Sequence, residues 1–157
     1  MRKPTWSGWL VVILVGSLMG SGCFGGGGPK EKKISLTLVG AENLNNCGEE
    51  LANPLVIRVY KLSAESKINS LGLVQLWGNE KDVLKGELLS QEEIVLNPGQ
   101  TREVDVLADL DTSFLGIAGN FCETQGDCWR WVSAVDAMKG KVKITFKETC
   151  LEVTAKH

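Results

Sequence analysis

From residue 34 the chain alternates between apolar and polar positions. Ile34, Leu36 and Leu38 are separated by Ser35 and Thr37, the two-residue period of a strand with one buried face. Gly40 ends the run. The same period returns where Val104 and Val106 alternate with Glu103 and Asp105, and where Val142, Ile144 and Phe146 alternate with Lys141, Lys143 and Lys147. Further strands are predicted for the run opened by Pro54, Leu55-Val56-Ile57-Arg58-Val59-Tyr60-Lys61-Leu62, for 86–95, for the more apolar 114–121 (a central strand) and for 129–132, while Leu151 and Val153 form either a paired strand or a continuation after a kink. Asn97-Pro98-Gly99-Gln100 predicts a type II turn, because Pro fixes φ and Gly accepts φ > 0. One segment changes period. In 63–77 Ile68, Leu71, Val74 and Trp77 recur every three residues, predicting a helix packed on a sheet, with Trp77 in its apolar stripe. Seven or eight short strands and one helix predict a mainly β protein, an antiparallel β-sandwich with a helical insertion.

The N-terminal segment follows a different pattern. Arg2 and Lys3 precede an uncharged, mostly apolar run from Trp9 to Met19, then Gly20-Ser21-Gly22, Cys23, Phe24 and the glycines Gly25 to Gly28. A basic start, a short apolar core and small residues before a cut site read as a secretory signal peptide. A cysteine directly after the small residues resembles a bacterial lipoprotein signal, in which Cys23 becomes the first mature residue and carries the lipid. A retained membrane anchor is the other reading, since 6–24 carries no charge. Gly16, Gly20 and Gly22 and the shortness of the apolar core favour a cleaved signal. Either way the rest of the chain is expected outside the cytoplasm, tethered to a membrane. The division that follows is 1–22 signal peptide, 23–32 acylated Cys and Gly-rich tether, and 33–157 β-sandwich domain.

Charge and cysteine count narrow the picture. Without Arg2 and Lys3 the chain holds 15 basic against 19 acidic residues, which gives no electrostatic footprint for nucleic acid. With Cys23 acylated, four cysteines remain: Cys47, Cys122, Cys128 and Cys150. An even number in an exported domain predicts two disulfides, with three connectivities open. The polar segment 123–127 favours Cys122–Cys128, which leaves Cys47–Cys150. A metal site is disfavoured, because the set lacks a second close pair of cysteines and the sole histidine is His157.

Few residues carry reaction chemistry. A Ser-His-Asp or Cys-His site would need His157 to fold back into a cleft. Glu49-Glu50 and Glu92-Glu93 are adjacent pairs, and neighbours on a strand point to opposite faces, so they read as solvated charge. The glycines at 25–28 lack the Lys-Ser/Thr of a phosphate loop. Trp129-Arg130-Trp131 reads either as a stacked cation–π cluster on a binding face or, the favoured version, as one tryptophan in the core with the arginine outside. No catalytic residues, metal site or cofactor are expected, and no small-molecule substrate. The segment 41–53, rich in Asn, Gly and Glu, is long for a strand connection, and such loops are often functional.

The order of these landmarks resembles the outer-membrane lipoproteins of type VI secretion systems, the TssJ (SciN, VasD) family. The resemblance rests on the Cys23 signal, Pro54-Leu55-Val56-Ile57-Arg58-Val59-Tyr60-Lys61-Leu62, Pro98-Gly99, Leu115-Gly116-Ile117-Ala118 and Trp129-Arg130. It implies a transthyretin-like sandwich and a structural, non-enzymatic role. It also implies a lipid at Cys23 on the periplasmic face of the outer membrane, with which Phe24 agrees. The implied partner is the periplasmic part of the IcmF-like (TssM) inner-membrane component, met through the loop between the first two strands. Here that loop offers Glu42, Asn43, Asn45, Asn46, Glu49 and Glu50. The alternative is a lipoprotein binding module of immunoglobulin- or transthyretin-like fold that grips a peptide or glycan at Trp77, Trp129 or Trp131.

Overall fold

A computed structural model describes residues 31–48 and 51–155. The leader, Cys23 and the tether up to Lys30 lie outside the described residues, as do Glu49, Glu50 and His157. The strands are β1 (Lys32–Gly40), β2 (Leu55–Leu62), β3 (Leu88–Leu96), β4 (Thr101–Ala108), β5 (Phe114–Gly119), β6 (Arg130–Ala134), β7 (Lys141–Phe146) and β8 (Leu151–Ala155). They form two four-stranded sheets, ordered β4-β1-β7-β8 and β3-β2-β5-β6. Every pairing is antiparallel except that of β1 with β7, which run parallel, Leu36 opposite Val142 and Leu38 opposite Ile144. One sheet is therefore mixed. The predicted central strand is β5, flanked by β2 and β6.

The period-two pattern explains the core. Ile34, Leu36 and Leu38 point inward with Val142, Ile144 and Phe146, and meet Leu55, Ile57, Ile94, Leu96 and Ile117 of the facing sheet. Each fully buried Leu or Ile contributes roughly 1.5–3 kcal/mol by leaving water. The other face of the β1 sheet stays polar: Lys33–Asp105 and Lys141–Glu103 are exposed ion pairs across its strands.

The insertion between β2 and β3 holds two helices, α1 (Ser66–Ser70) and α2 (Leu73–Val83), where the sequence predicts one helix over 63–77. Leu71 is extended (φ −90°, ψ 148°), and Gly72 starts the second helix with its N–H bonded to Gln75 Oε1 at 3.1 Å. This break resets the helical phase. The buried positions are Ile68, Leu76 and Leu84, while Val74, predicted in the stripe, is 84% exposed.

The helices cover the outer face of the β2 sheet, and two arginines from that face hold them. Arg58 on β2 lies 4.0 Å from the Trp77 ring centroid and bonds Glu80 at 3.2 Å and Glu93 at 3.1 Å. Trp77 is thus a half-buried platform for a cation, not a core residue. Arg130 on β6 donates to the carbonyls of Asn69 and Leu71 between the helices and lies over Trp129. Trp129 itself is buried, as expected for one tryptophan of that motif, but Arg130 is not outside: its side chain is 8% exposed and stacks on the Trp129 ring beneath the helices. Beneath the helices Gly116 leaves room for Ile68: a methyl added there would come within 2.9 Å of its Cδ1.

Tyr60 is buried in the same layer. Burial pushes its phenol up to about 12, with the neighbouring Arg58 pulling the other way. Its folded value lies above the ordinary 10.0, so its contribution to stability is present below pH 10 and is lost as pH rises through about 12. Tyr60 is the chain's only tyrosine, so an ultraviolet titration reads it alone. The native protein should form tyrosinate about two pH units above the urea-unfolded protein. Coincident titrations would contradict this packing.

Candidate functional site

Four connections gather at the end of the sandwich where β1 finishes: 41–54, 97–100, 120–129 and 147–150. This end lies about 30 Å from the point where the chain enters β1, the length of a nine-residue strand. The loop 41–54 is bound to its neighbours from its first residue. Gly40 N donates to Gln100 O at 2.8 Å, Ala41 N to Phe146 O at 2.8 Å, and Gly99 N to Ala41 O at 3.4 Å. The turn at 97–100 has the predicted chemistry, with Gly99 at φ 71° and Gln100 N bonded to Asn97 O at 3.1 Å.

Asn45 joins the loops. It is 5% exposed and left-handed at φ 47°, a conformation Asn tolerates better than most residues. Its N–H donates to Lys147 O at 3.2 Å. Its side-chain Oδ1 accepts from Cys122 N at 2.9 Å, and Nδ2 donates to Pro54 O at 3.2 Å. Asn53 Nδ2 donates to its carbonyl at 3.2 Å. One residue thus meets the 120–129 loop, the 147–150 turn and its own loop's closing strand.

Covalent bonds repeat these links. Cys47 pairs with Cys122, Cα–Cα 5.2 Å, and Cys128 with Cys150, Cα–Cα 5.1 Å. This corrects the expected Cys122–Cys128 and Cys47–Cys150. The ends of 122–128 do not close on each other. Cys122 lies beside Asn45, whereas Cys128 lies beside β8, its carbonyl accepting from Leu151 N at 2.8 Å. The two bridges enclose sequence separations of 75 and 22 residues, which the chain-entropy view values at about 3–4.5 kcal/mol each.

The predicted loop residues therefore divide. Asn45 does not face outward; it is buried as a strut. Glu42 and Asn43 are exposed and Asn46 is half-buried. Glu42 lies over the Gly99 turn, and Asn46 Oδ1 accepts from Gly48 N at 3.2 Å. Leu51, not singled out by sequence, is 75% exposed on the same loop. Its only sequence signal is an apolar residue inside a polar run. The tryptophans do not converge: Trp129 is buried, Trp77 lies under Arg58, and Trp131 packs against the core. Among the described residues no group of three or more His, Cys, Asp or Glu is arranged to hold a metal, and no helix is long and apolar enough to cross a membrane.

Residues 32–152 match the family described as Type VI secretion lipoprotein, VasD, EvfM, TssJ. The chain belongs to this family. Among solved structures it is similar to the T6SS lipoprotein TssJ1 from Pseudomonas aeruginosa, at 26% identity and TM-score 0.75, covering 82% of this chain and 98% of that one. It shares its fold with Serratia marcescens Lip, a membrane-bound component of the type VI secretion system, at 20% identity and TM-score 0.73, covering 82% and 99%. A chain in the structure described as the T6SS protein TssM C-terminal domain from EAEC matches at 21% identity and TM-score 0.72, covering 81% and 100%. No curated protein matches in sequence. The family and the mainly β sandwich implied by the sequence landmarks are both found.

The Asn45 geometry gives a test within this family member. Asn45→Ala strands the Cys122 N–H and the Pro54 carbonyl and puts a Cβ-bearing residue without a helping side chain at positive φ. Urea unfolding should show a loss of about 2–4 kcal/mol, while Asn43→Ala at the surface stays within about 0.5 kcal/mol. Equal effects would contradict the assigned role.

Proposed function

We propose that this type VI secretion lipoprotein is a structural tether of the secretion membrane complex. In this reading the signal 1–22 is removed and Cys23 is acylated. The lipid holds the domain at the periplasmic face of the outer membrane. The end made of 41–54 and its neighbours then binds the periplasmic part of the IcmF-like inner-membrane component, TssM. The role is mechanical and non-catalytic.

One observation carries the reading: the loop end stands a full strand's length from the point where the chain enters β1 and is braced by two disulfides, with Leu51 left in solvent. A rigid end spends little ordering entropy on association, and covering the exposed Leu51 side chain with a partner would remove apolar surface from water. Family membership supports the assembly role, as does similarity to chains in structures described as the TssM C-terminal domain and as a type VI membrane complex. The binding-module reading asks for a concave aromatic site, and the dispersal of Trp77, Trp129 and Trp131 counts against it.

Two variants test the proposal. Leu51→Ala should weaken co-purification with the IcmF-like component by about 5–30-fold, the range of a hot-spot residue, with the unfolding midpoint unchanged. Retention at wild-type level would move the interface off this loop. Cys23→Ser should release the protein from the membrane fraction into the soluble periplasm, because stable anchoring needs the acyl chains. A protein still bound to membranes would point to an uncleaved anchor.

A further inference from the structure

The chain enters β1 at Lys32, whose ladder partner on β4 is Ala108 and whose Nζ donates to Val135 O at 2.6 Å. The connections 109–113 and 135–140 therefore lie beside the entry point. Apolar surface collects at this end. Leu110, in the turn after β4, is 66% exposed, and Leu107 is 53% exposed. Leu107 stands opposite Lys33 in the β1–β4 ladder, on the outer face that also carries Asp105. Both connections line an open cavity of about 380 Å³, to which Ala108, Leu110, Phe114, Ala134 and Val135 bring an apolar lining. Single exposed apolar side chains are ordinary, but two of them three residues apart, one lining an apolar cavity, form a patch.

The charged groups around the patch are mostly tied to one another. Asp109 accepts from Lys61 at 3.1 Å and from Thr112 at 2.6 Å, and Lys33 pairs with Asp105 at 2.8 Å. Exposed Asp111, Asp136 and Lys139 make no ion pair among the described residues. This near balance of charge suits a surface of zwitterionic headgroups better than a strongly anionic one. Chain length says what lies opposite. Seven residues separate Cys23 from Glu31, and the eight steps between them reach at most about 28 Å at roughly 3.3–3.6 Å per residue. With the lipid on Cys23, the entry end stays within that distance of the bilayer. Such confinement populates a contact too weak to hold an untethered protein.

We propose that the entry end is a membrane-contact surface, with Leu107 and Leu110 seated in the headgroup boundary of a zwitterionic bilayer. Covering them removes apolar surface from water. Contact through both leans the sandwich toward the outer face of the β1 sheet, because Leu107 stands on that face. There Lys33, beside Leu107, lays its stem on the apolar boundary and keeps its ammonium among the headgroups. The loop end, about 30 Å away along β1, stays clear of the membrane. The inference rests on the reading of Cys23 as the lipid-bearing residue and adds to it a direct contact between protein and lipid.

The test uses the full acylated chain in phosphatidylcholine vesicles, prepared with and without bromine on the lipid acyl chains. An indole is introduced by Leu110→Trp or, at the loop end, by Asn43→Trp, and the wild-type chain gives the background from the native tryptophans. Bromine should cut the added fluorescence at position 110 about twofold or more, since a side chain seated about 5–10 Å into the boundary meets the acyl chains. Position 43 should be unaffected. Adding Leu107→Glu, a change at an exposed position, should restore most of the fluorescence at 110. Vesicle flotation separates this inference from the reading beneath it. A chain that floats but shows no quenching at 110, equal quenching at 43 and 110, or quenching at 110 that Leu107→Glu leaves untouched overturns the membrane contact and keeps the tether. A chain that does not float overturns both.

Discussion

The loop end depends on one buried amide. Asn45 lies where three connections meet and satisfies a donor or acceptor from each of them. A buried polar group without partners costs about 1–3 kcal/mol, so each bond holds the others in place. The disulfides Cys47–Cys122 and Cys128–Cys150 run along the same lines and make the arrangement covalent. Among its described residues, a loop of unusual length is thereby bonded into the scaffold at Ala41, Asn45, Cys47 and Asn53. Its exposed residues Glu42 and Asn43 lie between the bonded Ala41 and Asn45, which lowers the ordering cost of binding.

The rest of the molecule is organised so that this end can be rigid. The sandwich core is apolar and continuous. The helices would leave an apolar layer exposed if they lifted from the β2 sheet, and Arg58 and Arg130 fasten them there through Trp77, Glu80 and the carbonyls between the helices. Arg58 also acts on charge. Desolvation pushes Glu80 up, yet its hydrogen bonds, Gln91 among them, and the Arg58 charge outweigh burial and hold it below the usual carboxylate value. That part of the stability is present above pH 4.5 and is lost as pH falls below it.

Sequence reading reaches the strands because alternation is local. Ile34-Ser35-Leu36-Thr37-Leu38 carries its own period, and Pro98-Gly99 carries its own turn. It fails where the deciding contact is remote. The helix phase over 63–77 is lost at Gly72, since a single break lets Ile68 and Leu76 face the sheet independently. Cys122 and Cys128 are close in sequence, but β5 delivers one to the first loop and β6 aligns the other with β8. Asn45 reads as one polar loop residue among many, and only the fold shows it enclosed. The parallel pairing of β1 with β7 likewise has no local signature.

In the proposed assembly the loop end faces the inner-membrane partner and the β1 entry end faces the outer membrane. Site-specific photo-crosslinking in the native membrane reads this orientation most directly, with the crosslinker placed at Asn43 on the loop end and, separately, at Leu110 in the turn after β4 near the entry end. The proposed orientation requires a crosslink to the IcmF-like component from position 43 and none from position 110. A crosslink to that component from 110, with none from 43, would contradict it.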